Sequence, residues 1–376
     1  MTSPANADAD RLRAVFDAPR PLTVGLEEEL MLLHPETLDL VPCARALLRR
    51  LRGDARFKQE LPAAQLEIVG PPAATVVEAA AAVLQARRDL AAAAEGVARV
   101  AGAGLHPFAP AEGELTRGGH YDATAQEYGR IARRQLVFGL HVHVAVSGAE
   151  RALAVFNAVR EQLPALAALG ACSPWHEGRD TGLASMRPLV AGLLPRQGVP
   201  PAIPSWEALA DAFAWGRASG AFPDPGRWWW EARLHPRLGT VEVRVSDAQA
   251  TVGDAAAIAA VVHALVADLA ERYDAGEALG AAPAWRIAEN RWTACRHGVE
   301  GRWIDVVTGA TRPLRDHLHA LLDDLAPAAR RVGCADELAA ARDLVERPRA
   351  EHARALAQRD GPFGLAAWLA AHALDA

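Results

Sequence analysis

The chain has 376 residues and a mass of 39.9 kDa, and its 51% hydrophobic content is enough for a sizeable core in one large domain or two ordinary ones. A formal net charge of -6, a pI near 6.1 and scattered basic residues exclude a polyanion as the main partner, because nucleic-acid binding needs a dense basic surface. The longest apolar run, which starts at Asp254, is broken by His263 and Asp268 and falls short of the roughly 20 residues that span a bilayer, so no membrane helix is expected.

Residues 1–19 mix acids and bases without an apolar signal core, which reads as a loosely docked N-terminal tail and a cytoplasmic address. Residues 20–376 are expected to form a single domain. A first strand is expected over 23–33, a second over 64–69, a helix over 73–100, a third strand over 136–146 and a helix over 149–171. Pro- and Gly-rich stretches at 195–204 and 222–226 read as loops, either plain connectors or a lid. A fourth strand follows over 240–246, entered through a turn at Gly239, and helices over 254–275, 312–331, 336–359 and 364–374 complete the chain. This alternation is an α+β or α/β rhythm. Cys43, Cys172, Cys295 and Cys334 lack zinc or disulfide-scaffold spacing and read as reduced, mostly buried thiols.

Alternate side chains of a strand point to opposite faces, so parity sorts each strand into two stripes. In TVGLEEELMLL, Val24, Leu26, Glu28, Leu30 and Leu32 form one stripe, and Glu27 and Glu29 share the other. His141 and His143 likewise stand together opposite Leu140, Val142 and Val144, and Glu242 and Arg244 stand opposite Val241, Val243 and Val245. Glu67 lies amid Leu66, Ile68 and Val69, with Glu60 just upstream. Any one pair could be an exposed face or a structural ion pair. Four together suggest a concave surface whose carboxylates and imidazoles are tolerable only around cations. Glutamate oxygens with one imidazole suit Mg²⁺ or Mn²⁺, which usually hold phosphates. GxxxxGK and GxGxxG are absent, so ATP would have to sit on the sheet itself.

The segments TVGLEEELMLLHPETLDLVP, QLEIVGPP, GLHPFAP, IARRQLVFGLHVHVAV, ACSPWHEGRDTGLASMRP, RLGTVEVRVSDAQAT and AENRWTACRHG, in this order, resemble the family-two glutamate–cysteine ligases, carboxylate–amine ligases of the glutamine synthetase-like superfamily. The resemblance implies an α+β fold, with a curved, mainly antiparallel sheet forming a glutamine synthetase-like funnel and helices on its outer face. It implies ATP and Mg²⁺ as cofactors, phosphorylation of a carboxylate, and displacement of phosphate by an amine. By carry-over, Glu27, Glu29, Glu60, Glu67, His141 and Glu242 become metal ligands, Glu67 and Arg244 act in catalysis, and Arg244 meets the γ-phosphoryl group. His143 is an outer partner of the metal site or an ATP contact, and Arg187 and Asp180 bind substrate, with Arg179 and Arg291 as further candidates. Glutamate, an amine such as cysteine, and ATP are the implied partners, with no nucleic acid or membrane, and a homodimer is compatible with them. The alternative is a nucleotide- or amino-acid-binding module of this fold without turnover, and more distantly a kinase-like activity. Gly70, and Leu183 and Met186 in GLASM, depart from the family pattern and leave the amine acceptor open. Glu28 points into the apolar stripe and needs a buried partner, for which an arginine would serve.

Overall fold

A computed structural model describes residues 4–376. Its central sheet contains β1 (Val24–Leu33), β2 (Phe57–Gln59), β3 (Gln65–Val69), β4 (Arg99–Ala101), β5 (Gly139–Ala145), β6 (Ala232–His235) and β7 (Thr240–Asp247). The strand order is β2-β3-β1-β5-β7-β6, with β4 pairing the end of β1, and every pair is antiparallel. The helices of eight residues or more are α1 (Pro4–Asp17), α2 (Val76–Ala94), α3 (Gly119–Tyr128), α4 (Ala149–Leu169), α5 (Trp206–Ser219), α6 (Val252–Asp274), α7 (Ala284–His297), α8 (Leu314–Arg331), α9 (Ala335–Glu346) and α10 (Arg349–His372).

The apolar stripes do what their parity requires. Val24 and Leu26 of β1, Leu140, Val142 and Val144 of β5, and Val241, Val243 and Val245 of β7 join one core cluster with buried residues of α4 and α6. The opposite face carries the ionisable groups, so the helices cover one side of the sheet and leave the other to the site.

Helix α6 is, among the described residues, the one helix long and apolar enough to cross a membrane. It is longer than its sequence run suggested, yet 83% of its most apolar window is buried, so its hydrophobicity is spent on the core.

Several boundaries differ from expectation for local reasons. Residues 4–17 are not a loose tail: they form α1, which packs on α5, and Ala9 and Phe16 are fully buried in the main core. Helix α2 starts where the Thr75 hydroxyl accepts from the Glu78 amide and ends before Gly96, whose φ of 72° breaks the helix and lets β4 form. The helix expected over 336–359 divides at Arg347–Pro348, because a residue before proline avoids the α region. Its second half continues past a bend at Gly361 (φ 71°) into the segment expected as a separate final helix. Cys43, Cys295 and Cys334 are buried free thiols, and Cys172 is half-buried.

Candidate active site on the polar face of the sheet

Strand register sets the polar residues side by side. Glu29 faces Glu67 across β1 and β3, and Lys58 faces Glu67 from β2. Glu27 faces His141 across β1 and β5, and His143 faces Glu242 across β5 and β7. Seven residues from five strands thus form a continuous row that no local stretch contains.

Ligand atoms of Glu27, His141 and Glu242 lie within 4.8 Å of one another, and so do those of Glu29, Glu67 and His141. Two groups of hard oxygens therefore share one imidazole, a donor set that fits a divalent cation of the Mg²⁺ or Mn²⁺ kind. His141 Nδ1 is 3.4 Å from Glu27 and its Nε2 is 3.8 Å from Glu29. The Nδ1 of His143 is 2.9 Å from the Thr240 hydroxyl, while its Nε2 faces Glu27 and Glu242 at 3.5 and 3.7 Å without a hydrogen bond. A ring so oriented by a hydroxyl is a typical outer partner of ligating carboxylates.

The two halves of the row differ in electrostatics. Burial pushes the Glu27 carboxyl up, but the imidazoles of His141 and His143 beside it outweigh burial and hold it well below the usual range. Burial also opposes ionisation of Glu242, and Arg233, Arg244 and His143 overcome it. Glu67, in contrast, is raised far above the usual range by burial and by Glu60, Glu27 and Glu29, and burial together with Glu29 pushes Glu60 up to about 7. Lys58, 3.9 Å from Glu67, and Arg244, acting on Glu60, offset this repulsion only in part. A cation would relieve this end of the row most.

Arg244 depends on a break in the pairing. Between β5 and β7 the register moves from Leu140↔Ser246 to Val142↔Val243, so two residues of β7, Arg244 and Val245, oppose His141 alone. This β-bulge sets Arg244 Nη1 3.3 Å from His141 Nδ1 and in contact with Glu242. It also reverses the parity beyond it: Ser246 now faces Gly170 at the end of α4, and Asp247 turns to the loop over residues 172–187. There the Asp247 carboxylate accepts from the Ser185 hydroxyl at 2.9 Å and the Cys172 amide at 3.0 Å.

Arg187, from that same loop, donates to the carbonyls of Val245 and Arg244 at 3.2 and 3.4 Å and so ties the loop to the bulge. Its Nε has no partner. It passes over Gly139, where any Cβ would overlap the guanidinium, and the Gly139 amide donates to Glu29 at 2.5 Å.

A cavity of about 190 Å³ opens over this floor, lined by Glu29, Glu60, His141, Arg187 and Arg244 among others. Asp180 is not brought to it. It lies on the short strand Arg179–Asp180, exposed, and pairs with Arg354 at 3.1 Å, because its hairpin turns outward against α10. Arg179 is exposed on the same strand, and Leu183 and Met186 are also absent from the lining. Apolar walls come instead from Leu61, Val137, Leu194, Tyr121 and Trp229.

Sequence reasoning missed β6, although Glu231, Arg233 and His235 alternate there with Ala232 and Leu234 in the pattern of the other strands. Arg233 pairs with Glu242 from the side opposite Arg244. His235 packs edge-on to His143, and burial lowers it to about 4. Arg291 pairs with Glu231 at 2.6 Å behind the cavity.

Residues 23–366 match the family described as Glutamate-cysteine ligase family 2. A Rubrobacter xylanophilus protein, named as a candidate glutamate–cysteine ligase 2-3, is 39% identical over 92% of this chain and 95% of its own length. A Nocardia farcinica protein named as a candidate glutamate–cysteine ligase 2-2 is 35% identical over 88% of this chain and 89% of its own. Among solved structures, the glutamate–cysteine ligase of Francisella tularensis in complex with AMP superposes with a TM-score of 0.67 at 12% identity, covering 95% of this chain and 89% of that one. That similarity establishes a shared α+β fold with a mostly antiparallel sheet.

Proposed function

The chain belongs to glutamate–cysteine ligase family 2, a family of ATP-dependent carboxylate–amine ligases, and from that premise we propose that it joins the γ-carboxylate of glutamate to an amine through an acyl phosphate. The observation that carries the reading is the pair of ligand groups sharing His141, which with Glu29 lines a cavity that also holds two arginines.

Glu27, Glu29, Glu60, Glu67, His141 and Glu242 would hold Mg²⁺, or Mn²⁺, which supplies charge neutralisation for the phosphates of ATP. Arg244 meets the transferring γ-phosphoryl group. Burial disfavours its charge, but Glu242 and Glu29 more than compensate and keep it protonated, while Glu242 and His141 fix its direction. A γ-carboxylate oxygen attacks the γ-phosphorus as the bond to ADP breaks. The amine then attacks the acyl carbon, phosphate leaves, and the amine loses a proton. Glu67, raised well above the usual carboxylate range by burial and its acidic neighbours, stands beside Glu29 and acts with it on the reacting groups. His143 orients Glu27 and Glu242, and Arg187 offers its free Nε to a substrate carboxylate. Asp180, held by Arg354 away from the cavity, has no part in this scheme.

The test is ADP release with Mg²⁺, L-glutamate and a panel of amines including cysteine, with ATP affinity measured by calorimetry and products by mass spectrometry. An amide and free phosphate are expected. Silence across the panel with ATP bound would leave a binding module, and a phosphorylated product would mean a kinase.

A further inference from the structure

Within the cavity, Glu231 has no role in holding metal or meeting phosphate. Its backbone extends the ladder toward the bulge: its amide donates to the Gly198 carbonyl at 3.0 Å, and its carbonyl accepts from the Arg244 amide at 2.7 Å. The backbone of Glu231 is therefore fixed at both of its polar groups. One carboxylate oxygen accepts from Arg291 Nε at 2.6 Å, and Arg291 is itself anchored by donating to the Pro188 carbonyl. The other oxygen, Oε2, is buried without a hydrogen-bond partner, and the residue is only 7% exposed.

A buried anionic oxygen without a donor is costly, and native structures rarely keep one unless something fills the place. Two other cavity-lining residues carry unsatisfied buried atoms: Gln65 has a free carbonyl oxygen and Arg187 a free Nε–H. Three residues around one cavity thus carry, between them, two unpaired acceptors and one unpaired charged donor. That set complements an ammonium and a carboxylate on one small molecule, the two ends of an α-amino acid. It does not complement a further metal ion, since Glu231 belongs to neither ligand group among the described residues.

We propose that Glu231 Oε2, assisted by Gln65 Oε1, receives the α-ammonium group of the amino acid whose side-chain carboxylate is activated, and so selects α-amino acids over plain dicarboxylates. The inference deepens the ligase reading and rests on it. A carboxylate partner keeps an amine protonated, and a protonated amine has no lone pair with which to attack. Glu231 therefore serves the amine that is not consumed. The reacting amine must enter elsewhere, and the substrate's own amine is held out of self-ligation.

The experiment compares wild type with Glu231→Gln, using calorimetric affinity and ADP release for three carboxylates. L-Glutamate has both α-groups, 4-aminobutyrate lacks the α-carboxylate, and glutarate lacks the ammonium. In the variant the amide can still accept from Arg291, and it presents an N–H where the free oxygen stood. Binding of L-glutamate and 4-aminobutyrate should weaken about 10- to 100-fold, the range for a lost charged hydrogen bond, while glutarate binding stays level or tightens. Retained glutarate binding also reports that the variant is folded. Equal weakening of all three ligands, or no change for any, would overturn the proposal. Failure of wild type to release ADP with any carboxylate would instead overturn the ligase reading, which binding alone does not test.

Discussion

Three consecutive glutamates in β1 meet two different fates. Glu28 points to the dry side and is fully buried, and Arg87 of α2 answers it with two hydrogen bonds of 2.7 and 2.8 Å. The same guanidinium donates to the carbonyls of Gln249, Ala250 and Ala373, so one ion pair links the first strand, the segment after β7 and the chain's last turn. Glu27 and Glu29 point to the polar side, where their neighbours are imidazoles and other carboxylates. The dry-side carboxylate has a permanent, fully satisfying partner and so serves the fold. Those on the polar side face imidazoles and other carboxylates rather than a dedicated guanidinium, an arrangement that suits an exchangeable cation.

The sharpest way to break this contrast is Arg87→Met, which strands the Glu28 charge and three backbone carbonyls. A loss of about 3–5 kcal/mol in urea unfolding is expected, as for other broken buried pairs. Adding Glu28→Leu should recover part of it, though not all, since the carbonyls stay without a donor. A single-variant cost below about 1 kcal/mol would show that the pair is not structural.

One position away, Glu27→Gln should leave the cooperative unfolding transition in place and lower Mg²⁺-dependent turnover by about 100-fold, the scale of losing one preorganised charge in an active site. Turnover near the wild-type rate would remove Glu27 from the metal site.

The smallest effect concerns the repulsive end of the row. Glu60 is raised from 4.5 to about 7, so its folded-state pKa lies above the unfolded one. The stability this confers is fully present below about pH 4.5 and is lost as pH rises through about 7. In EDTA, unfolding free energy should fall by about 1–2 kcal/mol between those limits, allowing for solvent screening. Mg²⁺ should reduce the fall, and Glu60→Gln should make it shallower without abolishing it, because Glu67 is raised by the same burial and repulsion. An unchanged slope in the variant would assign the titration to another group.

Much of this was legible in the chain. Period-two alternation placed Glu27 with Glu29, His141 with His143, and Glu242 with Arg244, because strand geometry permits only one other face. The absence of phosphate-loop motifs pointed to a sheet-borne site, and the need of Glu28 for a buried cation followed from its place among leucines. What no window of sequence contained was register. That Glu29 lies beside Glu67, 38 positions away by number, and Arg87 beneath Glu28 depends on which strands and helices pair. The bulge at Arg244–Val245 lay equally out of reach, since one unpaired residue reverses all later parity and carries Asp247 to Ser185. Asp180 was misplaced for the same reason: proximity in sequence to Arg187 says nothing of a hairpin that turns outward to Arg354. Local chemistry determined which residues could hold charge on one face. Long-range pairing alone decided which of those charges meet, and whether each finds a fixed partner or is left for a ligand.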